Sequence, residues 1–321
     1  MNPWSLELLV VREQALDLER RSLARDCVRG LLHRVRPGVY VEREGYKALT
    51  VEGSHVVAMR ALAAVAPEPP QFSHWSAAVL HGLPTLGQHL DRVHVTVQDP
   101  ARRGSVGVGS HVAPLDVGET IVVGTLRATA VPRTVVDVAL ASPFEAGVVI
   151  ADGSLHAGCP EAALQEGAAG AAGRRGWRRA QQVVAFARAE AESAAESRAR
   201  VTMLRIGIRP PVLQWRVADR RGLAGRLDFG FPWVPAGGEV DGEKKYRDAA
   251  MASSGAADAV IAEKWREDRV RLQVPLLARW GYRESGSTVQ LCPILARIGV
   301  TPERPRVTIA DYSSAFRLVT F

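Results

Sequence analysis

The sequence predicts an α+β N-terminal half followed by an α/β C-terminal domain. Three observations carry that reading. First, apolar clusters in Ser5–Leu32 run into His33–Val41, where Val35, Val39 and Val41 alternate about Pro37-Gly38. Helices followed by a hairpin give a winged helix-turn-helix. Second, helical patterns between residues 53 and 160 are interrupted by Arg92–Val97, whose strict alternation reads as a strand. Third, Arg226–Tyr246 reads RLDFGFPWVPAGGEVDGEKKY: an apolar run, a Pro- and Gly-containing turn, and a second short strand.

Each element follows in order. In residues 1–52, Leu6, Leu8, Leu9 and Val10 start a first helical cluster; Ala15, Leu16 and Leu18 continue it, and Leu23, Val28, Leu31 and Leu32 form a later one. Arg25, Arg29, Arg34 and Arg36 would face phosphates around a recognition helix near Leu23–Leu32. The alternative is a packing module whose arginines are solvated. In residues 53–160, Gly53–Ala66 is a strongly apolar helix ended by Pro67–Pro70, and Thr129–Leu140 contains another. Arg133 and Asp137 are four apart and share a helix face, as a buried structural pair would. Ala146–Ala157 reads as a further helix. His74, His81, His94 and His111 match no metal-ligand spacing and read as structural.

Residues 161–179, rich in Ala and Gly and ending in the basic run Arg174–Arg179, read as a linker region with a helix packed across it. The C-terminal domain, residues 180–284, opens with a long helical stretch, Ala180–Ile206. Val212–Val217 and Leu223–Phe229 pair as strands around an Asp219–Gly222 turn. Beyond the central hairpin, Ala259–Trp280 reads as a helix that Pro275 kinks or ends, and Gly281-Tyr282 begins a final strand. Residues 285–321 carry no assignable pattern.

With 47% hydrophobic and 23% charged residues, the chain of 321 residues can bury two or three cores and is not globally disordered. A net charge of +7 and a pI of about 9.8 point to an anionic partner, with DNA the first expectation. High-GC coding bias also enriches arginine, so the charge does not carry that expectation alone. Cys27, Cys159 and Cys292 are isolated, which excludes a disulfide framework or a cysteine zinc site and suggests a reducing cytoplasm. The N-terminus lacks a basic region before an apolar core, as a secretory signal requires, and no apolar run reaches membrane-spanning length, so no membrane partner is expected.

Candidate chemistry centres on the hairpin. If Gly238–Asp241 is a strand, Glu239 and Asp241 point to one face, and Asp228 is delivered across the turn. Carboxylates aimed together repel one another unless a cation sits between them. Hard oxygen ligands suit Mg2+ or Mn2+. A polar hairpin with solvated acids is the alternative.

Two resemblances extend this reading over most of residues 1–283. Leu32, Arg34, Val35, Arg36, Gly38, Val39 and Tyr40 resemble the wing of AbiEi-type antitoxins and related transcriptional regulators. Phe72–Leu83 and Arg133–Leu140 are similar to elements of the same proteins' middle domain. Asp228-Phe229, Pro232 and Glu239-Val240-Asp241-Gly242 resemble the metal-binding hairpin of very-short-patch-repair-endonuclease-like domains, within the PD-(D/E)xK superfamily. Glu196-Ser197-Arg198 and Glu263–Asp268 are similar to that family's flanking helices. The resemblance implies a restriction-endonuclease-like αβββαβ domain in which Asp228 and Glu239 hold the metal and Glu196 adds a ligand or positions a water. Asp241 stands where the family carries its lysine, so a catalytic lysine would come from Lys244, Lys245 or Lys264. The implied function is a DNA-associated, metal-dependent endonuclease linked to toxin–antitoxin systems or phage defence. The alternatives are a non-cleaving DNA-binding regulator with a cognate toxin, and a protein-interaction module.

Overall fold

The computed structural model describes residues 1–11, 17–86, 90–102, 106–241, 265, 268–303 and 307–315. The chain forms two compact units, Met1–Ala141 and Ser142–Phe321, both mixing helices with sheets.

The first unit begins with β1 (Leu9–Val10), α1 (Asp17–Val28), β2 (Leu32–Arg36) and β3 (Val39–Glu42), the strands forming a sheet of order β1-β3-β2. The hairpin forms about Pro37-Gly38, where Gly38 takes φ +79°, a conformation that costs a residue with a Cβ. Leu9–Val10 is a strand and not part of a helix. Leu9 and Val10 pair with Tyr40 and Val39, because the free edge of β3 offers backbone partners that this short apolar run can take. The predicted recognition helix is likewise shorter: α1 ends at Val28, and Leu32 already belongs to β2. The next helices are α2 (Arg43–Lys47) and α3 (Val51–Val65). Thr50 caps α3 by accepting from Gly53 N, and the helix buries Val56, Val57 and Met59.

A second sheet has the order β6-β5-β4-β8-β7, built from β4 (Gln71–Phe72), β5 (Val93–Val97), β6 (Val108–Val112), β7 (Thr120–Val123) and β8 (Leu126–Thr129). Helices α4 (His74–Leu80) and α5 (Val131–Ala141) complete this unit. Arg133 Nε meets Asp137 Oδ2 at 2.8 Å with side-chain exposures of 9% and 1%, so the pair is buried; Glu119 joins it at 2.6 Å.

The second unit opens with α6 (Phe144–His156), α7 (Glu161–Gly170), α8 (Trp177–Phe186) and α9 (Ala194–Ile206). The helix expected across the linker region is α7, with Leu164 fully buried, and α8 begins within the same residues. The single helix expected over Ala180–Ile206 is interrupted between Phe186 and Ala194. Asp152 of α6 supplies the reason: it takes the backbone N–H of Arg188 at 2.7 Å and the Arg200 guanidinium at 2.6 Å. Ser193 then caps the new helix by accepting from Glu196 N.

The unit's sheet has the order β12-β11-β10-β9, from β9 (Val212–Asp219), β10 (Gly222–Phe231), β11 (Ala236–Val240) and β12 (Leu276–Trp280). At Pro275 the helix ends, one of the two outcomes expected there, and Leu276–Trp280 is a strand. Helical backbone stops at residue 273, ahead of Pro275, and the segment beyond it pairs in parallel with β11. Tyr282–Ser285, expected as strand, is a short helix with Glu284 reaching back to Gly281 N. The unassigned tail contributes to the core: Leu291, Leu295 and Tyr312 are fully buried, and Tyr312 Oη donates to Ile208 O at 3.0 Å. Among the described residues, no helix is long and apolar enough to cross a membrane.

Candidate functional site

The sheet of the second unit gathers the acidic residues. Phe229 pairs with Gly238, and one step further along β10 the Asp228 carboxylate accepts the N–H of Val240 at 2.7 Å. Gly238 allows this close packing, since a Cβ there would lie 2.4 Å from the Trp280 ring. Glu239 sits beside Arg279 in the parallel β11–β12 register, and Arg279 Nε donates to its Oε2 at 2.9 Å. Asp241 lies just past β11, exposed, its backbone N–H bonded to Trp280 O. Lys244, Lys245 and Lys264 lie outside the described residues.

Glu196 comes from α9 and is only 6% exposed. Ser193-Ala194-Ala195-Glu196 makes a reciprocal cap: Glu196 N donates to Ser193 Oγ, and the Glu196 carboxylate accepts from Ser193 Oγ at 2.7 Å and from Glu192 N at 3.1 Å. Gln214 Nε2 of β9 donates to the same carboxylate at 2.9 Å. Burial, and next the charge of Asp228, push the Glu196 carboxyl up to about 7. Helix and sheet therefore bring Glu196 and Asp228 within electrostatic reach of each other, while Glu239 is held by Arg279.

Gln214 and Arg279 were not singled out in the sequence. Gln214 adopts φ +49°, one of two non-glycine residues described with positive φ. Its Oε1 is buried and accepts no hydrogen bond from a described residue. No local signal marks either residue, because each reaches the acids only through strand pairing.

Among the described residues, no three His, Cys, Asp or Glu side chains are placed to hold a metal ion together. Gln214, hydrogen-bonded to Glu196 and opposite Asp228 on the adjoining strand, adds an orphaned amide oxygen to these two carboxylates, and all three are hard oxygens of the kind that Mg2+ or Mn2+ takes.

In the first unit, Arg25, Arg29 and Arg34 are exposed and Arg36 is half-buried; Arg29 lies 3.8 Å from Asp26. Three histidines meet there although their spacing hides it. The His74 and His111 rings stack with centroids 3.5 Å apart, and His94 Nδ1 lies 2.9 Å from His111 Nε2. They come from α4, β5 and β6, so only the sheet unites them. His81 stands apart, its Nε2 donating to Thr129 O at 2.7 Å.

Comparison with known proteins gives two similar chains, both from Mycobacterium tuberculosis. The uncharacterized protein Rv2248 of strain H37Rv and the uncharacterized protein MT2308 of strain CDC 1551 are each 32% identical over 160 residues, which is 49% of this chain. The match spans 57% of the length of those relatives. No protein-family model matches the sequence, and no solved structure matches it.

Proposed function

We propose that the second unit is a metal-dependent, phosphodiester-hydrolysing domain of the endonuclease-like PD-(D/E)xK type, carried on a DNA-associated protein. The observation that supports this best is the placement of Glu196 and Asp228 about Gln214, which donates to Glu196 and lies opposite Asp228 on the adjoining strand. Such a pair is relieved by a divalent cation. Asp228 and Glu196 would hold Mg2+ or Mn2+, with Glu239 or Asp241 completing the shell. The bound metal would polarise a phosphate and activate water. Gln214 orients Glu196 by its hydrogen bond, and Arg279 neutralises Glu239 on the adjacent strand. Lys245 or Lys264 would supply the charge that the family's lysine gives. Arg25, Arg29, Arg34 and Arg36 would make the DNA backbone contacts in a winged helix-turn-helix of AbiEi antitoxin type, a cognate toxin would be the protein partner, and the cytoplasm the place of action.

A second reading, a non-cleaving DNA-binding regulator, is favoured by one observation: the Glu196 carboxylate is satisfied as a helix cap and Glu239 as an ion pair without any metal. Calorimetric titration of Mg2+ and Mn2+ into the parent and the Asp228→Ala/Glu239→Ala variant separates the two. Binding that disappears in the variant, with metal-dependent cleavage of DNA abolished in Asp228→Ala, supports the hydrolytic reading. Salt-sensitive operator binding that needs no divalent metal, with no cleavage, supports the regulator.

A further inference from the structure

Gln214 combines three features that a packing residue does not need. Its backbone is left-handed at a position with a side chain, a conformation retained where the surroundings impose it. Its neighbours Leu213 and Trp215 pair with Phe229 and Leu227, which places Gln214 opposite Asp228 on the adjoining strand. One end of its amide is bound and the other is not: Nε2 donates to Glu196 Oε2 at 2.9 Å, while the buried Oε1 meets no donor among the described residues. The carboxylate partner fixes the amide's orientation, since the reverse would set oxygen against oxygen. A buried carbonyl oxygen without a donor is costly, and such orphans call for an explanation such as a bound ion.

The geometry points to Gln214 as the neutral oxygen ligand of a divalent-cation site, its Oε1 joining carboxylate oxygens of Asp228 and Glu196. The inference rests on the reading of these carboxylates as a metal site and names a ligand that the acidic residues alone do not supply. A neutral donor suits the position. A third carboxylate beside Glu196 and Asp228 would crowd three negative charges together, whereas an amide supplies a hard oxygen without charge. The hydrogen bond from Nε2 simultaneously turns the Glu196 carboxylate, so one side chain serves as ligand and as positioner.

The test is calorimetric titration of Mn2+ into the full-length parent, Asp228→Ala, Gln214→Leu and Gln214→Glu, with melting temperatures recorded with and without Mn2+. The expected result is Mn2+ binding by the parent that is abolished in Asp228→Ala and at least tenfold weaker in Gln214→Leu. Gln214→Glu, which restores an oxygen and adds charge, binds Mn2+ at least as tightly as the parent and shows a larger Mn2+-induced rise in melting temperature. A merely structural Gln214 would shift metal-free melting and leave the Mn2+-induced rise unchanged. Parent-like affinity in both Gln214 variants, with binding abolished in Asp228→Ala, would overturn the assignment of Gln214 and leave the carboxylate site standing. No binding by the parent at millimolar Mn2+ would overturn both.

Discussion

Glu196→Gln should change how the protein's stability depends on pH. In the native chain the Glu196 carboxyl is raised from 4.5 to about 7, first by burial and then by Asp228. In the unfolded chain it ionises near its ordinary value. Between these two values the native state therefore binds more protons than the unfolded state, and stability falls as pH rises from about 4.5 to about 7. The displacement corresponds to about 3 kcal/mol for this residue, which is 6% exposed. Glutamine at this position can still complete the reciprocal cap with Ser193, so the substitution removes the titration while keeping the helix start. The assay is urea unfolding of the full chain at pH 5, 6.5 and 8, compared between parent and variant at each pH so that other titrating groups cancel. Glu196→Gln should gain about 2.5 kcal/mol relative to the parent between pH 5 and pH 8, the rest of the displacement falling below pH 5. Asp228→Asn, which can still accept from Val240 N, should flatten the parent's dependence in part, because it removes the second cause of the shift and leaves burial. An unchanged parent–variant difference across the three pH values would refute the argument that Glu196 and Asp228 oppose each other's ionisation.

Other perturbations test the rest of the molecule. Asp152→Ala leaves Arg200 buried without its 2.6 Å partner, with exposures of 1% and 0% in the pair, and should cost about 3–5 kcal/mol in thermal or urea unfolding. Replacing Arg25, Arg29, Arg34 and Arg36 together by alanine should weaken duplex DNA binding and reduce the salt slope by about 0.9 for each phosphate that is no longer neutralised, measured by fluorescence anisotropy. Burial lowers the pKa values of His55 and His111 below 6.5, so the unfolded state takes up protons first on acidification. Stability of the first unit should then fall as pH drops below 6.5, read as faster amide exchange in α3 and β6 after correction for the intrinsic pH effect, and the fall should be smaller in His111→Gln.

Several elements were legible because their cause is local. Pro37-Gly38 imposes a turn between alternating valines, and the hairpin forms there. The alternation in Arg92–Val97 appears as β5, and the apolar run after Gly53 as α3. The four-residue spacing of Arg133 and Asp137 becomes a 2.8 Å buried pair. Asp228 and Glu239 fall on consecutive antiparallel strands, as the apolar run, turn and second strand of that stretch require.

The remainder depended on neighbours distant in the chain. A helical pattern over Ala180–Ile206 cannot reveal that Asp152 will claim the N–H of Arg188 and hold the chain extended before α9. Leu276–Trp280 carries no strand signal of its own, and its state is set by the edge of β11. Gln214 and Arg279 lie far in sequence from the hairpin acids they adjoin, and the stacked histidines come from three elements. The sequence by itself determined turns and apolar periodicity, because these arise within a few residues. The tertiary structure alone decided which strands pair and in what register, and with them the residues that surround Glu196, Asp228 and Glu239, because backbone hydrogen bonds between distant segments set those distances.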